Sequence, residues 1–429
     1  MSPRLAVPAL LLALLGPAVA AAADESSVAL ADFLARQAET RRIANDAFAQ
    51  MPLPGNAGVK ANEKPCADSD GDGLSDCVES GTGRFRNQAD TGTSPTLPDT
   101  DGDGIRDGDE VNGTPYLDLP ALGVSPVRKD LLLEYDWVED GLDCAAHSHK
   151  PSAAAIAKVA EIYANAPVRN PDGSTGIHVI QDYGQGGAFT GGQRLDGVQA
   201  VLPGAFDSYH AQLKQKFFAP ERAGYFHYVL FAHRYAGGSN SSGYAEIVGD
   251  DVLVTLYCYA TNDTFVANTI VHEVGHNLGL LHGGFEACNG KPNYSSLMNY
   301  RYQFAGTDAQ CTGYGTTGAA DLSHGDRMPL DERAADERLG VCGSPGVDWN
   351  SNGVLEPSVA VDVNATYNSE CGSALRILDD FDDWQNLDFA GVLDGVSPQF
   401  KSVQTEVACG GAPPQAKADR TSLPPRRGG

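Results

Sequence analysis

Three histidines within one short segment, His272, His276 and His282, constrain the fold of this chain more than any other feature. His272 and His276 are four residues apart in a segment with a helical pattern, so both imidazoles project from one helix face. On a continuing helix, His282 would point roughly 240° away from His276, given about 3.6 residues per turn. The helix must therefore end first, and Gly279 can adopt the positive φ that such an end requires.

Once the helix ends there, the three imidazoles are expected to converge on one metal ion. Three such ligands, with a fourth position left for water, are typical of a catalytic zinc site. Glu273 follows the first histidine and is predicted to take a proton from the zinc-activated water and pass it to a leaving amine. Fixed residue types at these offsets arise by chance in a chain of this length on the order of once in ten thousand.

The sequence around the histidines predicts an α/β domain. Apolar runs of strand length alternate with segments of helical periodicity, which favours a sheet with at least some parallel pairing. The predicted strands are 131–135, 177–181, 225–232, 251–257 and a short edge strand, 243–248. The predicted helices are 152–164, 206–218 and 263–281, the last with Asn262 as its N-cap.

Two acidic loops upstream of this domain repeat a calcium-binding pattern. Both match the EF-hand loop, with carboxylates at alternating positions, one backbone carbonyl and a glycine at the sharp turn. The expected ligands of the first loop are Asp68, Asp70, Asp72, the Leu74 carbonyl, Asp76 and Glu79. The expected ligands of the second loop are Asp99, Asp101, Asp103, the Ile105 carbonyl, Asp107 and Glu110. A match at every position favours structural Ca²⁺ over a solvated acidic linker.

A third segment begins in the same way at Asp348 and reaches its glycine at Gly353. Its last ligand position is Val359, so the bidentate glutamate is missing. Calcium and an ordinary Asn-Gly turn remain alternatives for this segment.

Composition and the N-terminus indicate an exported protein. The 429-residue chain has a net charge of −26, and a phosphate-binding surface needs clustered Lys and Arg, which argues against a nucleic-acid partner. Residues 1–23 combine a basic start, a short apolar run and small residues, which predicts a secretory signal peptide. No later apolar run is long enough to span a bilayer, so we expect a secreted, extracellular protein.

The rest of the chain divides into four predicted parts. Residues 24–60 form a helical segment, either a pro-segment or a helix packed on the domain. Residues 61–125 carry the calcium repeats, residues 126–400 the α/β domain, and residues 401–429 a flexible polar tail.

Nine cysteines in an exported chain predict disulfides, and the odd number leaves at least one cysteine unpaired. Sequence does not give the connectivity. The pairs that proximity favours are Cys66–Cys77, Cys288–Cys311 and Cys342–Cys371, with Cys144, Cys258 and Cys409 left over.

Histidines outside the motif are expected to be structural. His147 and His149 are predicted in an exposed loop, and His178, His227 and His233 in strands. A hydrogen-bonded structural histidine is the commoner case in each of these settings, so none of them is assigned to a metal.

The motif at 272–282, followed by Ser-Leu-Met-Asn-Tyr at 296–300, resembles that of the metzincin metalloproteases. The resemblance covers about residues 130–330. It implies a twisted mixed sheet with an antiparallel edge strand that can pair with a peptide substrate. It also implies a long active-site helix and an irregular, disulfide-containing C-terminal subdomain. The two acidic loops are similar to thrombospondin type 3 calcium repeats.

The same resemblance assigns roles to single residues. Met298 matches the methionine turn that forms an apolar floor beneath the zinc ligands. Tyr300 matches a tyrosine that ligates the metal and swings away to stabilise the oxyanion, with plain core packing as the alternative. Gly283 follows the third histidine, where astacins, serralysins, matrixins and adamalysins have other residues, so the subfamily stays open.

Together these features predict a secreted zinc-dependent endopeptidase that hydrolyses peptide bonds in proteins or peptides. A different class of function is a calcium-stabilised extracellular binding or adhesion protein with a structural zinc. Glu273 argues against it, because a structural site needs no base. A milder alternative is a zymogen that stays latent until residues 24–60 are removed.

Overall fold

The computed structural model describes residues 66–390 apart from 205–207, 238 and 317, together with residue 35 and residues 402–405. Outside the described residues lie the predicted signal peptide and the predicted helical segment except for residue 35. The predicted tail, including Cys409, also lies outside them except for residues 402–405. Among the described residues, no helix is both long enough and apolar enough to cross a bilayer.

The regular elements follow one another along the described part of the chain. The helices are α1 Asp107–Asn112, α2 Leu119–Leu122, α3 Ala153–Ala164, α4 Ser208–Phe217, α5 Asp263–Asn277 and α6 Asn368–Cys371. The strands are β1 Asp130–Trp137, β2 Glu139–Asp140, β3 His147–Ser148, β4 His178–Asp182, β5 Phe226–Phe231, β6 Gly243–Ile247, β7 Asp251–Val254, β8 Leu330–Asp331, β9 Ile377–Leu378 and β10 Ser402–Thr405. Short 3₁₀ helices lie at Pro220–Arg222, Tyr257–Tyr259, Ala365–Tyr367 and Trp384–Asn386.

One mixed sheet organises the α/β domain, with the strand order β4-β1-β5-β7-β6-β10. The strands from β4 to β7 are parallel to their neighbours, whereas β6 is antiparallel to β7. The predicted α/β class and the mixture of parallel and antiparallel pairing are therefore confirmed. The outer side of β6 is not free, because β10 pairs with it in antiparallel register.

The core lies on both faces of this sheet, because β1 buries every one of its side chains. Leu131, Leu133 and Tyr135 pack in one apolar cluster with side chains of α3 and α5. Leu132 packs on the opposite face, in a second cluster that includes side chains of α2 and α4. Full burial of this kind is typical of a central parallel strand covered on both sides.

Helix α5 begins and ends through identifiable backbone contacts. The side chain of Asn262 accepts hydrogen bonds from the amides of Thr264 and Phe265, both at 3.1 Å, so the predicted N-cap is confirmed. The prediction that the helix reaches residue 281 is wrong, since it ends at Asn277. Gly279 has φ +91° and its amide donates to the carbonyl of His276, a left-handed end that stops the helix.

The strand predicted over 251–257 is also shorter than expected, because β7 ends at Val254. Tyr257 has a positive φ of 32° and begins a 3₁₀ turn that leaves the sheet. The next residue, Cys258, forms a disulfide with Cys144, which holds this turn against the β2–β3 hairpin region.

Four disulfides join described residues: Cys66–Cys77, Cys144–Cys258, Cys288–Cys371 and Cys311–Cys342. The predicted pair Cys66–Cys77 is confirmed, whereas the predicted pairs Cys288–Cys311 and Cys342–Cys371 are wrong. Proximity along the chain fails here because the chain folds back over more than eighty residues, with 83 residues separating the two cysteines of the Cys288–Cys371 bond. That bond fixes the end of α6 to the segment after the third motif histidine.

The acidic repeat segment packs directly on the sheet. The carboxylate of Asp103 accepts a hydrogen bond of 2.7 Å from the amide of Asp130, the first residue of β1. The side chain of Lys129 donates to the carbonyl of Asp101. Ile105 lies in the same apolar cluster as Leu132, so the repeats share a core with the domain.

We expect Gly279→Ala to lower the free energy of unfolding by about 1–2 kcal/mol and to weaken metal retention, because a side chain is strained at this φ. The nearest atoms to an added Cβ are 3.5 Å or more away, so strain and not collision is the cause. Gly173→Ala is the matched control, with φ +87° and no neighbour within 4 Å. Urea denaturation and zinc analysis of both variants test this. Equal zinc retention in both would contradict a role for Gly279 in placing His282.

Candidate metal centre

The structure brings the three motif histidines together at the end of α5. His272, His276 and His282 each offer a ring nitrogen, and these atoms lie within 4.8 Å of one another. All three side chains are buried, at 2% exposure or less. His282 reaches the other two because the chain reverses after Asn277, as the glycine at 279 predicts.

Hydrogen bonds to backbone carbonyls fix the orientation of the first two rings. Nδ1 of His272 donates to the carbonyl of Leu297, and Nδ1 of His276 donates to the carbonyl of Leu280, both at 2.7 Å. A carbonyl only accepts, so each Nδ1 carries the proton and each Nε2 presents a lone pair. Metal-binding histidines use this arrangement, in which one ring nitrogen donates to a carbonyl and the other faces the ion.

The third ring completes an arrangement that favours a cation. Nδ1 of His282 lies 3.2 Å from a carboxylate oxygen of Glu370 and donates to it, which leaves its Nε2 as an acceptor. The Nε2 atoms of His276 and His282 are 3.2 Å apart, so two lone pairs face each other in a buried space. A bound metal ion turns this repulsion into coordination, and the residues therefore fit a metal site.

Glu273 lies in the same buried region, against the start of β6. A Cβ atom added at Gly243 would collide with the carboxylate of Glu273 and would lie 2.8 Å from the carbonyl of Leu253. Gly243 therefore leaves the space that the Glu273 side chain occupies. The sequence pattern does not identify this glycine as a site residue, because Glu273, which it contacts, is thirty residues away along the chain.

The segment 296–300 contacts α5 and the motif histidines. Met298 is fully buried, and an added Cβ at Gly275 of α5 would collide with its sulfur, so the methionine packs directly on the helix. The ring of Tyr300 lies 4.2 Å from that of His282 and 5.8 Å from that of His272, measured between centroids. Its position beside the histidines is compatible with both of the roles considered for it.

Glu370 is a site residue that the sequence pattern does not reveal. Its carboxylate accepts from the side chain of Asn289 at 2.9 Å as well as from His282. Asn289 also accepts from the amide of Tyr300 at 3.0 Å, so one network joins the carboxylate to the third histidine and the tyrosine. The adjacent bond Cys288–Cys371 holds this network together across the chain.

Gly283 is explained by the close approach of other backbone atoms. An added Cβ would collide with the carbonyl of Cys288 and lie 2.9 Å from that of Glu286. The fully buried ammonium of Lys291 donates to the carbonyl of Gly283 at 2.7 Å. A larger residue after the third histidine would require this loop to open.

The two acidic loops share one hydrogen-bond pattern. The carboxylate of Asp68 accepts from the amides of Gly71 and Gly73, and that of Asp99 accepts from the amides at 102 and 104. In both loops the third aspartate accepts from the amide two residues later. The groups of aspartates that could hold a metal ion are Asp68, Asp70 and Asp72 in the first loop, and Asp99, Asp101 and Asp103 in the second.

The ninth position of each loop braces the loop from within. Asp76 accepts from the amide of Ser69 at 2.9 Å, and Asp107 accepts from the amide of Thr100 at 2.8 Å. Asp107 also lies in a second candidate group, with Asp72 and Glu79 of the first loop. The two repeats are therefore interlocked, an arrangement that the separate ligand sets of the sequence analysis do not include.

Several carboxylate oxygens in these loops are buried without a hydrogen-bond partner. They are Oδ2 of Asp70, Asp72 and Asp101, Oε2 of Glu79 and both oxygens of Glu110. Burial raises the pKa of Asp72 to about 7, and burial with repulsion from neighbouring aspartates raises the pKa of Glu79 to about 8. A buried carboxylate needs a cation or a proton, so the donor chemistry fits a hard metal ion.

The third acidic segment forms a turn with similar contacts. The carboxylate of Asp348 accepts from the amide of Gly353 at 2.7 Å. The side-chain amides of Asn350 and Asn352 donate to the carboxylate of Glu356. Hydrogen bonds of this kind close an Asn-Gly turn.

Histidines outside the motif fall into two groups. His178 and His227 are hydrogen-bonded structural residues, as predicted. The sequence predicts His147 and His149 in an exposed loop, but they lie on and beside β3, and His149 is buried. His233 lies beyond β5 and not within a strand, because β5 ends two residues earlier.

Comparisons with known protein families, with curated proteins and with solved structures found no match to this chain.

We expect Glu370→Gln to weaken metal binding at the three histidines about 10- to 100-fold, because a neutral amide orients and polarises His282 less well. Competition with a fluorescent zinc chelator measures the affinity. Glu161→Gln on the exposed face of α3 is the control and should leave the zinc affinity unchanged. An unchanged affinity in Glu370→Gln would mean that the carboxylate does not support the site.

We expect the thermal midpoint in excess EDTA to fall as the pH rises from about 5.5 to about 8.5, because acids with raised folded pKa values favour folding only while protonated. The responsible groups are Asp72, whose pKa burial raises to about 7, and Glu79 and Asp107, whose pKa values burial raises to about 8. Excess Ca²⁺ should raise the midpoint and remove this slope. Glu79→Gln should flatten the slope in EDTA, whereas the exposed control Glu221→Gln should not. A slope of opposite sign in EDTA would contradict the assignment.

Proposed function

We propose that the chain is a zinc-dependent endopeptidase related to the metzincins, which hydrolyses peptide bonds in proteins or peptides. The observation that carries the proposal is the convergence of three buried imidazoles, two of them oriented by backbone carbonyls, beside the carboxylate of Glu273. Three nitrogen ligands with a glutamate adjacent are the donor set of zinc hydrolases.

The residues of the chain would divide the work as follows. His272, His276 and His282 would hold the ion, which when bound polarises a carbonyl and lowers the pKa of water. Glu273 would accept a proton at its carboxylate and return it to the leaving amine. Gly243 keeps the space in which that carboxylate sits. Tyr300 lies close enough to the histidines to interact with a developing oxyanion.

Strand β6 supports a peptide as the substrate. Its outer side accepts an extended segment of this chain in antiparallel register, with Val403 opposite Glu246 and Gln404 opposite Ala245. A peptide substrate would bind there by the same backbone hydrogen bonds, in place of the segment 402–405. The first residue of β6, Gly243, lies against Glu273, so a peptide on this strand would run past the proposed base.

Calcium and export complete the proposal. The interlocked loops, with buried carboxylate oxygens that have no hydrogen-bond partner, favour structural Ca²⁺ at the two repeats. Four disulfides among the described residues favour an oxidising compartment, which agrees with secretion. The extracellular medium supplies calcium at the concentrations that such modules require.

We expect Glu273→Gln to lower kcat for a peptide substrate by roughly 10² to 10⁴, the contribution of a positioned general base, while zinc content stays the same. Phenanthroline should abolish hydrolysis by the unmodified protein, and added zinc should restore it. The assay is cleavage of a fluorogenic peptide library together with metal analysis of the same samples. Glu161→Gln is the control and should keep full activity.

Two outcomes would reject this proposal. One is a zinc-loaded protein, tested with and without residues 24–60, that cleaves no member of the library. The other is activity that survives in Glu273→Gln at the level of the control. The first would favour a binding protein with a structural metal, and the second would require a different base.

A further inference from the structure

A second group of histidines lies at the ends of strands β2, β3 and β5, far from the motif in sequence. We call it the second histidine cluster, and its members are Asp140, His147, His149 and His233. Asp140 is paired with His147 across the β2–β3 hairpin. His149 follows that hairpin, and His233 follows β5 in the main sheet. Three separate segments of the chain therefore meet at this point.

The four side chains are close enough to share one ion. Each offers one ligand atom, and these atoms lie within 4.8 Å of one another. The carboxylate of Asp140 lies 2.6 Å from Nε2 of His149 through one oxygen and 3.2 Å from Nδ1 of His233 through the other. Ligand atoms in a tetrahedral zinc site are about 3.3 Å apart, given Zn–N bonds of about 2.0 Å.

The ring of His233 carries the strongest indication of a cation. It is fully buried, and its Nε2 donates to the carboxylate of Asp143 at 3.2 Å. In the neutral ring Nδ1 is then a lone-pair acceptor, and it makes no hydrogen bond although it lies 3.2 Å from an oxygen of Asp140. Two acceptors 3.2 Å apart in a buried space repel each other, and a metal ion between them removes the repulsion.

The other two histidines also have lone pairs to offer. His149 is buried with its Nε2 2.6 Å from the Asp140 carboxylate, and a neutral imidazole keeps a lone pair on one of its two nitrogens. His147 lies near two backbone carbonyls, those of Ala145 at 2.9 Å and Tyr257 at 3.2 Å. A neutral ring donates to only one of them and keeps a lone pair on its other nitrogen.

We propose that the second histidine cluster binds a zinc ion with a structural role, separate from the metal at the motif. Three imidazole nitrogens and one carboxylate oxygen form a closed set of four ligands, which leaves no position for a substrate. Imidazole-rich sets select zinc over calcium and magnesium, whose ligands are oxygens. The carboxylate of Asp143 serves as the outer partner of His233.

This ion would hold the connection that leads into β6. His233 begins the segment that runs from β5 to Gly243, the residue that lies against Glu273. The disulfide Cys144–Cys258 crosses the same region and ties the hairpin side of the cluster to the turn after β7. The disulfide and the ion would act together to fix the end of the sheet nearest β6.

The test is the zinc content of the full secreted protein after dialysis, measured by mass spectrometry on several variants. The unmodified chain should retain two zinc ions, and His149→Asn and His272→Ala should each retain one. The double variant should retain none. His324→Gln replaces an exposed histidine outside both groups and should keep two.

Separate outcomes bear on the two metal sites. Two ions in His149→Asn, or one in the unmodified chain with none in His272→Ala, would overturn the second site and leave the motif site intact. One ion in His149→Asn that persists in the double variant would count against the motif site instead. If His149→Asn is not secreted, His272→Ala decides alone, since one retained zinc supports the second site and none excludes it.

A structural role also predicts the effect on stability. His149→Asn should lower the thermal midpoint in the presence of zinc and should speed proteolytic cleavage between residues 138 and 152. Zinc should protect this segment in His272→Ala as well as in the unmodified chain. Equal cleavage rates with and without zinc in His272→Ala would contradict the assignment.

Discussion

The left-handed turn at Gly279 is the constraint on which the candidate metal centre depends. Two histidines on one helix face could supply two ligands, but a continuing helix would carry the third away from them. The turn ends α5 at Asn277 and also places the carbonyl of Leu280 where it accepts from Nδ1 of His276. One backbone feature therefore brings in the third imidazole and orients the second.

The rest of the centre consists of support for these three rings. Met298 packs against Gly275, and the carbonyl of the preceding residue, Leu297, orients His272. Glu370 performs the same task for His282, from a segment fixed by the bond Cys288–Cys371. Each ring thus has its own oriented partner, and each partner comes from a different part of the chain. This division is what a preorganised metal site requires.

Features that depend on residues close together in sequence could be predicted, whereas contacts between distant segments could not. The helix that begins after Asn262, most strands of the sheet and the two acidic loops follow from local residue patterns. The structure places them close to where the sequence predicts, except that α5 and β7 end earlier and β10 is not predicted. The role of Glu370, the disulfide Cys288–Cys371 and the second histidine cluster depend on segments about 80 or more residues apart. Residue patterns do not report which distant segments meet. Gly243 is an example, because the need for glycine at this position is explained only by its tertiary contact with Glu273.

The contact between Asp103 and Asp130 has a consequence for the modularity of the protein. The acidic repeats precede the α/β domain in sequence, but they are not independent of it. The carboxylate of Asp103 accepts from the first amide of β1, and Ile105 packs in the same apolar cluster as Leu132 of that strand. A chain begun at residue 126 would lose both contributions at once. Separating the repeats from the sheet would expose the apolar side chains and polar groups that now pack between them. An ion bound in the second loop would therefore also stabilise the start of β1, an interior strand of the sheet.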